Sequence, residues 1–260
     1  TGNNNIGIGQ ASADALTSGV CNIAIGLNAL GASTDGAGNI AIGRNALAVS
    51  DGDGDENIAI GAIAMGAGDV SGTQNIAIGS TAMDALTSGA CNIGLGTDAL
   101  GALTSGTNNI AIGKTALAAT TDGANNVAIG VGALSTSGND ADNNVAIGNT
   151  ALGGADVSGG NNVAIGTSAA DAVTTGLSNV AIGLNAYGAA TTGCANIAIG
   201  ETAMGGAAVS DGTGSQGRHN IAIGSNAMDA LTTGCTNVGI GCEALGAVNT
   251  GADNIAIGRN

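Results

Sequence analysis

The 260-residue chain contains no proline, no tryptophan and no phenylalanine, and Tyr187 is its single tyrosine. Aromatic side chains supply much of the buried area in most globular cores, so their absence predicts a thin core of small and aliphatic side chains. A collagen triple helix is excluded, because it needs proline and a glycine at every third position. Intrinsic disorder is disfavoured as well, since 44% of the residues are hydrophobic and only 9% are charged.

Basic residues are also scarce. The chain has four, Arg44, Lys114, Arg218 and Arg259, against 19 acidic residues, and its formal net charge is −15. Nucleic acids and anionic membrane surfaces are bound by clustered Lys and Arg, whereas these four are dispersed along the sequence. We therefore expect no nucleic-acid partner. We also expect no membrane span, because no hydrophobic run approaches the length that a bilayer requires.

One phrase is repeated fifteen times in the sequence: Asn, then Ile or Val, Ala or Gly, Ile or Leu, and Gly. Successive copies are 17 or 18 residues apart, except for a spacing of 24 between Asn196 and Asn220. The three residues after each Asn alternate with a period of two and are rich in β-branched side chains, which is typical of a strand. Many copies then reach a Thr-Ser-Gly or Thr-Thr-Gly turn. Seventeen residues are too few for a strand and a helix.

The repeat therefore predicts an all-β fold, a parallel β-solenoid (β-roll) of about fifteen coils of 17–18 residues each. In such a fold each coil contacts chiefly its two neighbours. We expect one continuous repeat array over residues 1–260. Neither end of the sequence shows a capping segment, which indicates either an excerpt of a longer array or chains that stack end to end into a filament. The single long spacing predicts an extended loop insertion at residues 209–219.

Two positions of the repeat never vary, the opening Asn and the closing Gly. Stacked side-chain amides are expected to form a ladder that caps the turn. Glycine is expected where the backbone has a left-handed angle or approaches another coil closely. The predicted structural ladder includes Asn22, Asn39, Asn75, Asn109, Asn144 and Asn179, with the glycines Gly26, Gly43, Gly79 and Gly113.

Alternation along the strand suggests which face is buried. The first and third positions carry Ile, Val or Leu and are expected to form the buried stripe, so the second position should point away from the coil's core. That position holds only Ala or Gly, which would let another chain approach closely. The predicted oligomer interface comprises Ala24, Ala41, Ala59, Ala77, Gly94, Ala111, Ala128, Ala146, Ala164, Ala181, Ala198, Ala222, Gly239 and Ala256. The alternative is a thin monomeric solenoid with both faces directed inward.

The phrase NIAIG or NVAIG, followed by two variable residues, Ala-Leu and the Thr-Ser-Gly or Thr-Thr-Gly turn, resembles the head repeats of YadA-type trimeric autotransporter adhesins. It resembles still more closely the repeat shafts of phage-type tail fibre proteins, and the resemblance covers essentially the whole chain. It implies a left-handed parallel β-roll in which three chains share one axis, with Ala24 and its equivalents near the trimer contact. The repeat is longer than in the adhesin heads, and no neck, coiled-coil stalk or membrane anchor is recognisable.

These features predict a structural extracellular fibre, filament or adhesin shaft at a cell surface or virion surface. Its expected partners are identical chains, in a homotrimer or a filament, and a cell-surface receptor would be contacted by regions outside this chain. No catalytic residue and no cofactor are predicted, because the single histidine, His219, forms no recognisable pair with a nucleophile. The alternative is a monomeric, ice-binding-like solenoid. That function needs a flat lattice of Thr on a strand, whereas Thr87, Thr104 and their equivalents lie in turns.

One acidic run is a candidate metal site, namely Asp51, Asp53, Asp55 and Glu56. Carboxylate oxygens are the ligands that calcium prefers, but the run lacks the glycine and the acidic residue that an EF-hand places at its sixth and twelfth positions. Two interpretations stay open at this point, a weak calcium site and a solvated expanded turn.

Five cysteines cannot all pair within one chain. Cys21 and Cys91 share one position of the repeat four coils apart, and Cys194 and Cys235 share another two coils apart. On a coil spacing of about 4.8 Å, both separations exceed the roughly 7 Å that a disulfide allows between Cα atoms. Small buried thiols, some of them paired between chains, are expected.

Overall fold

The structure is a computed structural model that describes residues 2–50, 54–138, 141–206, 209 and 217–259. These residues form fifteen strands, each three residues long and one for each copy of the repeated phrase. They are β1 (Ile6–Ile8), β2 (Ile23–Ile25), β3 (Ile40–Ile42), β4 (Ile58–Ile60), β5 (Ile76–Ile78), β6 (Ile93–Leu95), β7 (Ile110–Ile112), β8 (Val127–Ile129), β9 (Val145–Ile147), β10 (Val163–Ile165), β11 (Val180–Ile182), β12 (Ile197–Ile199), β13 (Ile221–Ile223), β14 (Val238–Ile240) and β15 (Ile255–Ile257).

Successive strands of β1–β7, and likewise of β8–β15, pair in parallel with equivalent residues opposite each other, as Ala77 of β5 lies opposite Gly94 of β6. The chain divides into two compact units, Thr1–Asn126 with strands β1–β7 and Val127–Asn260 with strands β8–β15. Within each unit the strands follow the order of the sequence. An in-register parallel stack with one strand per repeat is a β-solenoid, which confirms the fold class predicted from the repeat.

The interior of each coil holds the small residue of the strand and not the large ones. In β2–β14 the central Ala or Gly is buried and the two residues beside it are partly exposed. Ala77 is 0% exposed, whereas Ile78 is 40% exposed. The prediction that the Ile and Val positions form the buried stripe is therefore wrong.

The interface predicted at the small residues is wrong for the same reason. The side chains of Ala24, Ala41, Ala59, Ala77, Ala111, Ala128, Ala146, Ala164, Ala181, Ala198 and Ala222 are buried inside single coils, as are Gly94 and Gly239. Ala256, in the last strand, is half-buried between two exposed isoleucines. Residues already enclosed by their own chain present no surface to a second one.

The width of the coil explains this orientation. The wall opposite the strand is formed by an Ala-Leu or Ala-Met pair, such as Ala82 and Met83, which are both fully buried. At Gly94 an added Cβ would lie 3.0 Å from the Met83 Cε and 3.2 Å from the main-chain oxygen of Ala99. The space between strand and opposite wall therefore accepts a methyl group or less, and the larger Ile and Val must point outward.

The opening asparagines form the predicted ladder. The main-chain N–H of Asn92 donates to the Asn75 Oδ1 at 3.0 Å, and the Asn92 Nδ2 donates to the same oxygen at 3.0 Å and to the Gly106 oxygen at 2.8 Å. Asn109 repeats these bonds one coil further along. The side chains of Asn22, Asn39, Asn75, Asn109, Asn144 and Asn179 are all buried, so they depend on protein partners, most of which belong to neighbouring coils.

The closing glycines satisfy both of the conditions expected for them. Gly26, Gly43, Gly79 and Gly113 have φ angles between 133° and 144°, which L side chains rarely adopt. A Cβ added to Gly26 would also lie only 2.6 Å from the Gly43 oxygen of the next coil. Any larger residue at this position would push the coils apart.

The turn after each strand contains left-handed residues that are not glycine. Thr81 and Met83, the second and fourth residues after a closing Gly, have φ angles of 55° and 51°. Such angles cost roughly 1–2 kcal/mol per residue outside glycine. Bonds to the adjacent coils offset this cost, because the Thr81 N–H donates to the Ala62 oxygen and the Met83 N–H to the Ala99 oxygen, each at 3.0 Å. The turn thereby directs Met83 into the interior.

Ala77→Leu is expected to lower the free energy of unfolding by about 1–3 kcal/mol, because the coil interior has no space for three further carbons. Urea denaturation followed by far-UV circular dichroism measures the change. Ser88→Ala, at an exposed turn position of the same coil, is the matched control and should shift stability by less than about 0.5 kcal/mol. An unchanged midpoint for Ala77→Leu would contradict the inward orientation.

Asn92→Asp is expected to destabilise the fold by about 3 kcal/mol at neutral pH, because a carboxylate would replace the donor to two buried oxygens. Burial would raise the pKa of the introduced carboxyl above its ordinary value of about 3.9. Near pH 4 the carboxyl is protonated in the folded state, so the loss of stability should be small there. As the pH rises the carboxyl must ionise or stay protonated at a cost in free energy, so the loss of stability should grow.

Denaturation midpoints measured from pH 4 to pH 8 test this. Asn108→Asp, at an exposed position one coil away, serves as the control and should show neither the loss nor this pH dependence. Equal stability of the two variants at pH 7 would argue against a structural role for the ladder.

Candidate functional site

The outward side chains of the strands form an apolar strip that we call the outer strand face. It consists of the first and third residues of β1–β7 in the first unit and of β8–β15 in the second, and every one is Ile, Val or Leu. Ile78, Ile112 and Ile165 are 40%, 37% and 37% exposed. Seven strands at a spacing of about 4.8 Å extend the strip over roughly 30 Å in the first unit. No polar side chain interrupts it in either unit.

Two rows of residues border this strip. The leading edge consists of the two residues before each ladder Asn, and the trailing edge is the residue after each closing Gly. The charged residues of the trailing edge are Arg44, Lys114, Glu201 and Arg259, and those of the leading edge are Asp55, Glu56, Asp142, Arg218 and Asp253. Charge therefore flanks the outer strand face on both sides without entering it.

At two strands the edges are apolar and widen the strip. Val20 and Leu27 flank β2 and are 38% and 46% exposed, and Leu177 and Leu184 flank β11 and are each 46% exposed. Sequence reasoning missed these residues, because the strand face was taken to be the buried one. Because the Ile and Val of the strands point outward, these four side chains lie beside exposed Ile and Val.

The acidic run proposed for calcium is only partly described, because Asp51 and Asp53 lie outside the described residues. The Asp55 Oδ1 accepts a hydrogen bond from the Ala37 N–H at 2.7 Å, and the Glu56 Oε2 accepts one from the Gln74 Nε2 at 3.0 Å. These two carboxylates thus contact coils on opposite sides. Among the described residues no group of three or more metal-ligating side chains comes together.

The insertion at residues 209–219 is described only at Val209 and residues 217–219. Val209 is buried, and the Gly217 oxygen accepts the Asn196 Nδ2 at 2.8 Å. The Asn220 N–H donates to the Asn196 Oδ1 at 3.0 Å. The asparagine ladder therefore continues across the spacing of 24, and His219, at the end of this segment, is exposed on the leading edge.

The five cysteines are all free thiols. Cys194, Cys235 and Cys242 are partly buried, but Cys21 and Cys91 are exposed. The expectation of buried thiols is therefore wrong for this pair. Both lie on the leading edge, immediately before a ladder Asn, where the backbone is left-handed and the side chain points outward.

The threonines of the turns bond within the solenoid. The Thr87 hydroxyl donates to the Thr104 oxygen at 3.0 Å, and the Thr104 hydroxyl donates to the Thr121 oxygen at the same distance. Thr17, Thr174 and their equivalents repeat this bond. These hydroxyl protons are thus used between coils, and the exposed strand positions carry Ile and Val instead of the Thr lattice that an ice-binding surface would need.

Partial burial raises the pKa of Asp84, and the negative charge of Asp98 adds to the effect. Burial likewise raises the pKa of Asp171. Asp84 and Asp171 are each the fifth residue after a closing Gly, so they belong to the turn and not to the outer strand face.

Tyr187 occupies the inward position that Leu or Met holds in most coils, and it is 1% exposed. Its hydroxyl accepts a hydrogen bond from the Asn196 Nδ2 at 2.7 Å, so the phenol joins the asparagine ladder. Burial raises the pKa of the Tyr187 phenol well above its ordinary value of 10.0, and the bond from Asn196 opposes this only in part.

We expect no tyrosinate absorbance near 295 nm in the folded protein as the pH passes 10. Tyr187 is the only tyrosine, so the signal is unambiguous. The unfolded chain ionises near pH 10 and the folded chain does not, so stability should be lost as the pH rises beyond 10. The chain in guanidinium is the control. A folded protein that titrates with the unfolded midpoint would refute the buried position.

No helix with the length and apolar character needed to cross a bilayer occurs among the described residues. Comparison with models of known protein families finds none that matches the chain. Comparison with curated proteins likewise finds no match. The likeness of the repeat to YadA-type heads and tail fibre shafts therefore stays a prediction from its sequence.

Proposed function

We propose that this chain is a structural element of an extracellular fibre or adhesin shaft, and that it associates with identical chains through its outer strand face. The observation that carries the proposal is the strip of half-exposed Ile, Val and Leu, which is unbroken within each unit. Long contiguous apolar surfaces on soluble proteins mark sites of association. The proposed contact surface is therefore the outer strand face and not the row of Ala and Gly expected from the sequence.

The period of the strip favours a second copy as the partner. Its side chains recur at the strand spacing of about 4.8 Å. An α-helix repeats every 5.4 Å, so its side chains lose register with the strip within a few coils. The side chains of another chain with the same repeat stay in register with the strip over many coils. A second copy of this chain has that repeat.

The charge distribution agrees with association along one face. The net charge is −15, yet the outer strand face is uncharged, so two faces can meet without bringing acidic groups together. The acidic residues of the turns would then cover the outside of the assembly and limit further aggregation. A trimer at a cell or virion surface is the form that the resemblance of the repeat supports, with any receptor contacted by regions outside this chain.

The mass of the particle in dilute buffer tests the proposal, by native mass spectrometry or by light scattering with refractive-index detection. The expected value is about 72 kDa, three times the 24.0 kDa of one chain. Larger, open-ended masses would support assembly into filaments through the same face. A particle of 24.0 kDa would overturn the proposal.

Two variants locate the surface. Ile42→Lys combined with Ile78→Lys should dissociate the particle by placing desolvated charge in the contact, while the far-UV spectrum stays that of the unmodified chain. Ser88→Lys, at an exposed turn position, is the control and should leave the mass unchanged. Loss of association in the control alone would assign the contact to the turn.

A further inference from the structure

The two edges of the outer strand face carry opposite charges in adjacent coils of the first unit. Arg44 follows the closing Gly of β3 and is exposed on the trailing edge. Asp55 and Glu56 precede the ladder Asn of β4 on the leading edge, where Glu56 is exposed and Asp55 is half-buried. The basic side chain and the acidic pair are thus displaced by one coil.

The second unit repeats this arrangement with the signs reversed. Glu201 is exposed on the trailing edge of β12, and the leading edge of β13 carries Arg218 and His219. The displacement is again one coil and in the same direction. The other three basic residues of the chain lie on the trailing edge, and Arg218 alone lies on the leading edge. Glu201 is the single acidic residue on the trailing edge. The two exceptions therefore occur together.

These charges are not partners within one chain. Five residues separate the leading edge of a strand from its trailing edge, namely the ladder Asn, the three strand residues and the closing Gly, and the six steps across them span roughly 15–20 Å at the strand rise of about 3.3 Å per residue. A salt bridge needs about 4 Å between nitrogen and oxygen. Arg44 and Arg218 accordingly form no ion pair among the described residues.

We propose that neighbouring copies of the chain lie parallel and side by side, with the trailing edge of one against the leading edge of the next and a displacement of one coil. Arg44 then faces Asp55 and Glu56 of the neighbouring copy, and Glu201 faces its Arg218. The contact joins two different edges, so it is heterologous and gives either a closed ring or a continuing array. The proposal rests on the proposed self-association and adds the orientation and register of the copies.

Lys114 provides an internal control, because the leading edge one coil further along carries Ala124 and Asn125 and no acidic residue. Its side chain is exposed on the trailing edge like that of Arg44. A general attraction of basic side chains to an acidic chain would involve Lys114 as much as Arg44. A registered contact involves Arg44 alone.

Charge reversal tests the pairs. Arg44→Glu and Glu201→Arg should each weaken association about fivefold to tenfold at low salt, and the effect should shrink in about 0.5 M salt. Restoring opposite signs, with Arg44→Glu plus Glu56→Arg or with Glu201→Arg plus Arg218→Glu, should return the dissociation constant to within about twofold of the unmodified value. Lys114→Glu should leave it unchanged.

Disulfide trapping tests the register directly. Arg44→Cys and Glu56→Cys are combined in a chain whose five native cysteines are all replaced by Ser, and the protein is oxidised with diamide. The two introduced thiols are too far apart for a bond within one chain, so covalent dimers or larger species on a non-reducing gel report contact between copies. Arg44→Cys with Gln74→Cys, one coil out of register, is the control and should give far less product.

Two results would overturn this proposal while leaving the proposed function intact. One is an oligomer in which reversal at Arg44 or Glu201 has no larger effect than reversal at Lys114. The other is equal or greater trapping in the control pair. A monomeric unmodified chain would instead overturn the proposed function, and this proposal with it.

Discussion

The stacked asparagine amides are the interaction on which the rest of the structure depends. A buried amide without partners costs roughly 1–3 kcal/mol, and in this fold the partners of each amide are supplied by the coils before and after it. Asn92, for instance, bonds to Asn75 and Gly106 and receives bonds from Asn109. A coil shifted by one residue along its neighbour would lose these bonds at once. The ladder therefore fixes the register of short strands that have few hydrogen bonds of their own.

The thin interior follows from this stacking. Coils held at the strand spacing leave room opposite the strand for an Ala and a Leu or Met, so the strand itself contributes only its small central residue to the interior and its Ile and Val point outward. The protein consequently lacks the aromatic core of most domains and exposes Ile and Val instead. Tyr187 is the exception, because it is an aromatic residue in the inward position that Leu or Met holds in most coils. Its hydroxyl lies against Asn196 and accepts a hydrogen bond from it.

The repeat made the strands, their parallel order and the roles of the invariant Asn and Gly predictable from the sequence. It did not make the orientation of the strands predictable. Alternation places Ala77 on one face of the strand and Ile76 and Ile78 on the other, but it does not say which face is buried. The usual rule that the larger residues are buried predicted the wrong face. The deciding fact is the distance to the opposite wall, which depends on the turn.

That turn is itself difficult to predict, because it uses left-handed angles at Thr81 and Met83, residues that seldom adopt them. For the same reason the sequence did not indicate a role for the apolar edges at Leu27 and Leu184 or for the charges of Arg44 and Glu56. They become neighbours of an exposed surface only once the direction of the strands is known.

The spacing of 24 residues that the asparagine ladder crosses between Asn196 and Asn220 has a consequence for how such a gene can change. A coil that keeps its Asn, strand and closing Gly tolerates extra residues in its turn, whereas an insertion inside the five-residue phrase would break both neighbouring ladders. Whole coils can be added or removed with every bond re-formed, each changing the stack by about 4.8 Å. Unequal recombination between copies of the repeat would then adjust the protein's reach in fixed steps.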